Sequence, residues 1–486
     1  MKILLTSSEA VPFAKVGGLA DVVGSLPTAF RNLDVDVRVI VPGYGHIDHI
    51  KYGISHLFQF DFNHSQGMSE INLFSCVYND IPFYFLQVWP YFGQEGTVYS
   101  QWNWDMERFV FFNQAVMATM WELHQRLDWF PDVLHVNDWH TGLLPYLVKQ
   151  QQQQSIWSNL ATVISIHNIA YQGNHARQFL SDANIPLPRQ PDLVYQDLTD
   201  NLLGIGIAYS DIVSTVSPRY AEEIKYRYAG YELANLIRTR VDDLHGVLNG
   251  LDTDLWDPET DPKLIQNYNV DNFKTLKPVN KRQLQSFSRL PIRDDVPLIG
   301  VVSRLASQKG FDIAIPALRQ ILETHDVQFV VLGTGESDLE YALWRLDQDF
   351  RDKATAFLQF DAALAQQVYA GCDIFLMPSH FEPCGMGQMM AMRYGSLPLV
   401  RETGGLADTV DNYDNGDAEV GTGFMFTWQT ASAVAGTLSW AIDTYYNRKD
   451  AWLRMQTRAM STDFSWDKSA KEYINLYQQA ITKVKG

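Results

Sequence analysis

The sequence has few cysteines and no long apolar segment near its start. Its three cysteines, Cys76, Cys372 and Cys384, are far apart and odd in number, which argues against a disulfide framework and against a structural zinc site. The apolar run at residues 1–5 is too short for a signal peptide or a membrane span. We therefore expect a cytoplasmic protein, or a plastid protein whose targeting peptide has been removed, with no membrane span.

Basic residues are also scarce. The 38 Lys and Arg are outnumbered by 56 Asp and Glu, and a formal charge of −18 disfavours nucleic acid or an anionic membrane as a partner. A neutral polymer is compatible with this charge. The 62 aromatic residues suit packing on the apolar faces of sugars, although for any single one a place in an ordinary core is favoured. No His, Cys or carboxylate cluster has metal-ligand spacing, so we expect neither a metal nor a bound cofactor.

Short apolar runs alternate with helical periodicity in both halves of the chain, which at 486 residues is too long for one compact core. Strands are predicted at residues 2–6, 35–41, 132–138, 162–168 and 211–217, and again at 297–304, 328–332, 356–360, 373–377 and 397–400. Residues 46–101 predict extra strands or excursions inserted into the first domain. This pattern predicts the α/β fold class with two doubly wound, Rossmann-like parallel-sheet domains.

Turn-forming residues cluster at 247–258, so we place a domain boundary there. The predicted domains are residues 1–248 and 249–460, with 461–486 as a terminal helix that packs back on the first domain. Hinge closure near residues 249–252 would exclude water from a site between the domains.

Two similar glycine motifs each open a predicted helix. Residues 15–21 read KVGGLAD and residues 404–408 read GGLAD. Glycine lets backbone N–H groups approach a ligand closely, and a helix N-terminus favours an anion such as phosphate. We expect the two motifs to face a shared cleft. The alternative is that both are ordinary strand-to-helix turns.

Charged and polar residues follow the predicted strands. Lys15, Arg304 and Lys309 are cations at strand-to-helix turns, suited to a diphosphate that gains charge as it leaves. Groups of the kind that bind sugar hydroxyls are Asp21, Asp138, His167, Asn168 and Glu382, although each is also compatible with a helix cap or a structural role. Cys384 has no histidine placed beside it by the sequence, so packing or ligand contact is favoured over nucleophilic catalysis.

Six motifs are distributed nearly from end to end. They are residues 15–21 (KVGGLAD), 135–140 (HVNDWH), 249–252 (NGLD), 303–310 (SRLASQKG), 382–385 (EPCG) and 403–408 (TGGLAD). Together they resemble the bacterial glycogen synthase and plant starch synthase family. The chain departs from that family at residues 91–96 (YFGQEG), which lack the Asp-Arg-Pro often found there, and at Gly387.

The resemblance implies a two-domain GT-B glycosyltransferase. It would transfer glucose from ADP-glucose to the non-reducing end of an α-1,4-glucan such as glycogen, amylopectin or a malto-oligosaccharide, with retention of configuration. Retention without an obvious protein nucleophile favours front-side attack, in which the leaving diphosphate accepts the acceptor's proton.

The resemblance also implies a role for each matched residue. The diphosphate would be held by Lys15, Arg304 and Lys309, with Gly18 and the backbone of Thr403, Gly404, Gly405 and Leu406. The transferred glucose would be held by Asp138, His167, Asn168 and Glu382, in a pocket lined by Cys384 and Gly385. Phe360, at the end of its predicted strand, would contact adenine, Asp21 would shape the junction of donor and acceptor, and Asn249 would bind substrate. The implied catalytic residues are Lys15, Asp21, His167, Arg304, Lys309 and Glu382.

Two other function classes remain open. One is a glucan-binding or priming partner that kept the fold and lost activity. The other is a sucrose- or trehalose-type glycosyltransferase that uses UDP-glucose. A glucan phosphorylase would need a lysine-bound pyridoxal phosphate, for which no motif is present.

Overall fold

The chain folds into two α/β units. A computed structural model describes residues 1–94, 96–153 and 156–485. The first unit is Met1–Gly250 with Trp466–Gly486, and the second is Leu251–Ser465. The sequence boundaries, after residues 248 and 460, fall slightly earlier. The second unit extends to Ser465 because the Leu251 N–H donates to the Phe464 carbonyl over 2.6 Å and Leu251 pairs with Ser465.

The first unit is built on a nine-stranded sheet in the order β3-β4-β5-β2-β1-β6-β7-β8-β9. Its strands are β1 (Lys2–Thr6), β2 (Asp36–Pro42), β3 (Ser55–His64), β4 (Gly67–Tyr78), β5 (Ile81–Gln87), β6 (Val133–Asn137), β7 (Ala161–Ile166), β8 (Ile212–Thr215) and β9 (Leu244–Gly246). The neighbouring strands in the series β5-β2-β1-β6-β7-β8-β9 all pair in parallel, whereas β3–β4 and β4–β5 are antiparallel. The extra strands predicted within residues 46–101 are therefore confirmed, and they extend one edge of the sheet.

The helices of the first unit connect and cover these strands. They are Gly18–Arg31, His49–Tyr52, Trp102–Leu127, Asp138–Thr141, Leu144–Gln151, Arg177–Asp182, Pro191–Tyr195, Leu202–Tyr209, Pro218–Glu223, Arg227–Gly230, Ala234–Arg238 and Trp466–Lys485. The last of them joins this unit through buried side chains. The Tyr477 hydroxyl lies 2.7 Å from Nδ1 of His135 on β6, and Ser469 donates to the Leu248 carbonyl over 2.5 Å.

The second unit has a six-stranded sheet, wholly parallel, in the order β12-β11-β10-β13-β14-β15. Its strands are β10 (Leu298–Val302), β11 (Gln328–Leu332), β12 (Ala354–Phe357), β13 (Ile374–Met377), β14 (Leu397–Arg401) and β15 (Phe424–Phe426). Its helices are Phe273–Phe287, Phe311–Thr324, Ser337–Asp349, Ala362–Gly371, Gly387–Arg393, Gly404–Thr409, Ala431–Asn447 and Lys449–Ser461.

Both faces of the second sheet are buried, because successive strand residues point into two different cores. Ile299 and Val301 of β10 join one apolar cluster, and Leu298 joins the other. Strands covered by helices on both faces are expected to be continuously apolar, which explains why these runs are readable in the sequence. The predicted doubly wound architecture is thus confirmed for this unit.

Each sheet reverses its strand order at one place. In the first unit the chain passes from β1 to β2 in one direction and later from β6 to β9 in the other, so the reversal lies between β1 and β6. In the second unit it lies between β10 and β13. Open α/β sheets bind ligands at the carboxyl ends of the strands that flank such a reversal. We therefore expect ligands to bind at the turns after β1, β6, β10 and β13.

Two further properties follow from the described residues. None of the described helices is long and apolar enough to cross a membrane. All three cysteines are buried, and none of them is in a disulfide bond. Glu95 of the atypical segment 91–96 lies outside the described residues.

Candidate active site

The turn after β1 is organised by Glu9, a side chain only 3% exposed. One carboxylate oxygen accepts from the backbone N–H groups of Val16 and Gly17, over 2.5 and 2.8 Å. The other oxygen accepts from the Tyr99 hydroxyl over 2.5 Å. Burial, with Glu9 beside it, raises the pKa of Tyr99, so the phenol remains a neutral donor. Glu9 therefore fixes the backbone just after Lys15.

Lys15 itself points away from this buried carboxylate. Its Nζ lies 2.6 Å from Oδ1 of Asp21, one turn into the helix Gly18–Arg31, and about half of the lysine side chain is exposed. An exposed ion pair contributes little to stability. An incoming phosphate can therefore replace Asp21 at the ammonium group at little cost.

The turn after β6 carries Asp138, whose backbone has a φ of 55°. Its carboxylate accepts from the backbone N–H of His167 over 2.7 Å and more weakly from that of Asn168 over 3.4 Å. Because this side chain bridges to the end of β7, the strained φ is held by a neighbouring strand. Burial raises the pKa of Asp138 to about 7, although the two N–H groups oppose the shift. The carboxyl is thus poised near neutral pH.

His167 has a defined tautomer. Asn137 donates through its amide nitrogen to the Thr6 carbonyl over 3.0 Å, so its amide oxygen accepts from Nε2 of His167 over 2.8 Å. The proton is therefore on Nε2, and Nδ1 is the acceptor. Burial lowers the pKa of His167 to about 3, so the ring is neutral at pH 7. A neutral imidazole with a free lone pair suits a sugar hydroxyl.

Two asparagines complete the predicted set in this unit. The Asn168 side-chain oxygen accepts from the Ala170 backbone N–H over 3.1 Å, which is a local turn. Asn249 is buried, and its side-chain oxygen has no hydrogen-bond partner among the described residues. A buried polar atom without a partner is costly, and a ligand hydroxyl would relieve it.

In the second unit the turns after β10 and β13 meet through an ion pair. Nζ of Lys309 lies 2.7 Å from Oε2 of Glu382, and the Ser379 hydroxyl donates to the same oxygen over 2.9 Å. Glu382 is almost fully buried. The charge of this buried carboxylate is therefore balanced by Lys309.

The Lys309 turn is pressed against the segment after β13. Gly310 has a φ of 72°, and a Cβ there would lie 2.1 Å from the Pro378 carbonyl oxygen, so only glycine fits. Arg304, in the same loop, is exposed, and its guanidinium makes no hydrogen bond or ion pair within the described part of the chain. The second unit therefore offers one paired cation and one unpaired cation at its strand-order reversal.

In the second glycine motif, residues 404–408, close packing explains why both glycines are needed. A Cβ on Gly404 would lie 2.0 Å from the Glu382 carbonyl oxygen, and one on Gly405 would lie 2.1 Å from that of Cys384. The Gly405 N–H donates to the Glu382 carbonyl over 3.1 Å. This motif therefore fixes the segment that carries Glu382. Gly18 differs, because nothing lies within 4 Å of a Cβ built there.

The remaining predicted residues are set around this segment. Gly385 has a φ of 71°, while Cys384, Thr403 and Leu406 are buried. Phe360 does not end a strand as predicted, because β12 ends at Phe357. Residues 358–361 instead lead into the next helix, whose N-cap is Asp361, and the Phe360 ring is 88% exposed.

Within each unit the structure brings predicted residues together. In the first, Asp138, His167 and Asn168 meet, and Lys15 meets Asp21. In the second, Lys309 meets Glu382, and Gly404 and Gly405 meet the Glu382 segment. Sequence reasoning missed Glu9, Tyr99, Asn137 and Ser379. Glu9 lies three residues after the end of the predicted strand 2–6, where its position was readable, whereas nothing local marks Tyr99 as its partner.

Two α/β units, each built on a largely or wholly parallel sheet, are the architecture of GT-B glycosyltransferases. Family models agree: residues 2–239 match the starch synthase catalytic domain, and residues 282–452 match glycosyl transferases group 1. A sucrose-phosphate synthase of Thermosynechococcus elongatus shares the fold, with a TM-score of 0.62 over 99% of both chains at 17% identity.

Full-length relatives are more specific. A glycogen synthase of Streptococcus sanguinis is 42% identical over 99% of this chain and 100% of its own, and one of Thermotoga maritima is 41% identical over 100% of both. The catalytic domain of starch synthase IV from Arabidopsis thaliana, solved with ADP and acarbose, matches with a TM-score of 0.88 and 30% identity over 99% of both chains. The chain belongs to the glycogen and starch synthase family, whose members are glucosyltransferases that elongate storage glucan.

Proposed function

We propose that this chain transfers glucose from ADP-glucose to the non-reducing end of an α-1,4-glucan, with retention of configuration. The observation that carries the proposal is the Lys309–Glu382 pair at the β10–β13 reversal, with the unpartnered Arg304 guanidinium in the same loop. Two cations at this position match a diphosphate that gains negative charge as it leaves. The starch synthase IV domain solved with ADP supports an adenine nucleotide.

In this proposal each unit has a defined task. The planar guanidinium group of Arg304 donates two hydrogen bonds to phosphate oxygens, and the ammonium group of Lys309 acts as a point charge. Glu382, held by Lys309 and Ser379, accepts from a glucose hydroxyl. The N–H groups of Thr403, Gly405 and Leu406 donate to carbonyls of the protein itself, so the segment Thr403–Leu406 serves the nucleotide site by holding the segment that carries Glu382. Phe360 offers an exposed ring to adenine.

The first unit binds the sugar and the glucan acceptor in the same proposal. Nδ1 of His167 accepts from a glucose hydroxyl, and Asp138, Asn168 and Asn249 supply further polar contacts. Lys15 leaves Asp21 to bind phosphate beside Gly18. The acceptor hydroxyl attacks on the face that the diphosphate leaves, and a diphosphate oxygen takes its proton. The reaction as proposed uses no metal and no cofactor.

A turnover assay tests donor and acceptor together. ADP-glucose and UDP-glucose are each offered with glycogen and with amylopectin, and glucose incorporation into polymer is measured. The proposal expects ADP-glucose to be the preferred donor, by at least about tenfold in kcat/KM, which equals about 1.4 kcal/mol in transition-state binding. Preference for UDP-glucose would overturn the donor assignment, and no incorporation from either donor would indicate a glucan-binding protein without activity.

A further inference from the structure

A groove on the first unit lies on residues that the candidate site does not use. It has a volume of about 380 Å³. Its floor is one face of the long helix Trp102–Leu127, where Gln114, Met117 and Trp121 recur at helical spacing. Its walls are Phe62 of the edge strand β3 and Gln150 at the end of the helix Leu144–Gln151.

The groove combines open aromatic surface with amide groups. The Trp121 ring is 40% exposed, and its N–H has no hydrogen-bond partner among the described residues. Gln150 is exposed and likewise makes no side-chain hydrogen bond within the described part of the chain. Gln114 donates to the Ala183 carbonyl over 3.1 Å, which leaves its amide oxygen as an acceptor. An indole face packs on the apolar face of a pyranose, and amides bind its hydroxyls.

The groove carries no charge of its own. None of the nine residues that line it is ionisable, although the chain as a whole has a formal charge of −18. A nucleotide or another anion would find no cation among the lining residues, and the net negative charge of the chain disfavours it further. A neutral, hydroxyl-rich ligand fits this groove, because the aromatic ring packs on its apolar faces, the amides bind its hydroxyls and no charge is left unbalanced.

We propose that this groove is a second binding site for an α-glucan, separate from the catalytic residues, with the Trp121 ring stacked on a sugar face. The proposal rests on the proposed function, because that function makes a glucan the polymer the protein meets. A second binding site for the polymer keeps the enzyme near chain ends and raises the effective concentration of those ends at the catalytic site.

The test is affinity electrophoresis of the full chain in native gels that contain glycogen, which needs neither donor nor turnover. We expect Trp121→Ala to weaken the dissociation constant for glycogen by about three- to tenfold, the range that one aromatic contact provides. Gln150→Ala, on an exposed helix end, should weaken it less. Trp344→Ala is the matched control, because this tryptophan is 43% exposed on a helix of the second unit.

The proposal would be overturned if glycogen in the gel retarded Trp121→Ala as strongly as wild type. It would also be overturned if Trp121→Ala and Trp344→Ala lost glycogen affinity equally. A second readout compares transfer to the trisaccharide maltotriose with transfer to glycogen. Trp121→Ala should retain the wild-type rate with maltotriose and show a raised KM for glycogen. If wild type binds glycogen through Trp121 but transfers no glucose, the groove stands and the proposed function fails.

Discussion

The ammonium group of Lys309 lies 2.7 Å from the carboxylate of Glu382, and this contact joins the two turns that flank the strand-order reversal of the second sheet. Both side chains are largely shielded from water. A buried pair of this kind costs desolvation of two ions and is weak evidence for a stabilising role. Its position favours a role in the reaction, where a cation must be held ready for developing charge.

We predict that Lys309→Ala lowers kcat by about 10²–10³-fold at saturating donor, the loss typical when one preorganised charge-stabilising group is removed. The variant should also melt at lower temperature, because Glu382 is left as a buried unpaired charge. Lys263→Ala, which removes an exposed lysine of the same unit, should change neither quantity.

A double variant separates the two effects. Lys309→Met with Glu382→Gln removes both charges, so it should recover melting temperature relative to Lys309→Ala without recovering kcat. Near-normal turnover of Lys309→Ala at saturating donor would contradict the assigned role.

Glu9 is predicted to act through Lys15. Glu9→Ala leaves the N–H groups of Val16 and Gly17 without their acceptor and frees the Lys15 turn, so kcat/KM should fall by about 10–100-fold, or about 1.4–2.8 kcal/mol. Tyr99→Phe removes a single hydrogen bond to Glu9 and should cost less.

A double-mutant cycle checks the coupling between Glu9 and Lys15. If Glu9 acts only by positioning Lys15, then Glu9→Ala adds little once Lys15→Ala is present. Fully additive losses in kcat/KM would show that Glu9 affects activity by another route, such as general destabilisation. Thermal melting of all three variants supplies that control.

The strands were the readable part of this fold, for a physical reason. Parallel strands buried on both faces are short continuous apolar runs, so β1 and β11 were predicted to the residue. Phe360 was misjudged because the apolar run in the sequence continues past Phe357, where β12 ends. A strand's last residue depends on its neighbours, which the local sequence does not contain.

In the candidate site, too, the sequence predicted the local features and not the contacts between distant residues. Lys309 and Glu382 were each recognised from their turns, but they are 73 positions apart, and their ion pair depends on β10 and β13 being neighbours in the sheet. The Glu9–Tyr99 bond joins residues 90 positions apart, and no periodicity reports on it. Local patterns therefore located the individual groups, and only the sheet order determined their partners.

Three histidines with lowered pKa values predict proton uptake on unfolding. Burial lowers the pKa of His135, His140 and His167 to about 3, against about 6.5 in an unfolded chain. Between these values the unfolded chain binds more protons, so their contribution to stability is present above pH 6.5 and is lost as the pH falls towards 3. At pH 5, His135→Gln should take up about one proton fewer than wild type on unfolding in urea, measured potentiometrically. Equal uptake would contradict the neutral assignment of His135.

The Asp138 carboxyl is predicted to release a proton on unfolding, in contrast to the histidines. Its folded pKa is raised to about 7, so between about pH 4 and 7 the folded state binds the extra proton, and its stabilising contribution is lost as the pH rises through 7. Asp138→Asn keeps an oxygen to accept from the His167 backbone N–H and removes the titration. At pH 5 this variant should take up about one proton more than wild type on unfolding. A smaller uptake than wild type would show that the Asp138 carboxyl is ionised in the folded state.

The two glycine motifs, alike in sequence, are predicted to respond oppositely to alanine. A Cβ on Gly405 would lie 2.1 Å from a backbone oxygen, so Gly405→Ala must move the segment that carries Glu382 and should lower both melting temperature and activity. Gly18 is the first residue of its helix and has open space around it. Alanine is the better helix former, so Gly18→Ala should raise stability, by up to about 1 kcal/mol.

Activity of Gly18→Ala then reports on the ligand alone. If the donor phosphate approaches the backbone at this helix end, the added methyl group obstructs it, and the donor KM should rise by about tenfold or more in a protein that melts higher than wild type. No loss of stability accompanies this change, so a raised KM cannot be attributed to unfolding. An unchanged donor KM would mean that Gly18 is an ordinary helix start and that phosphate is bound elsewhere.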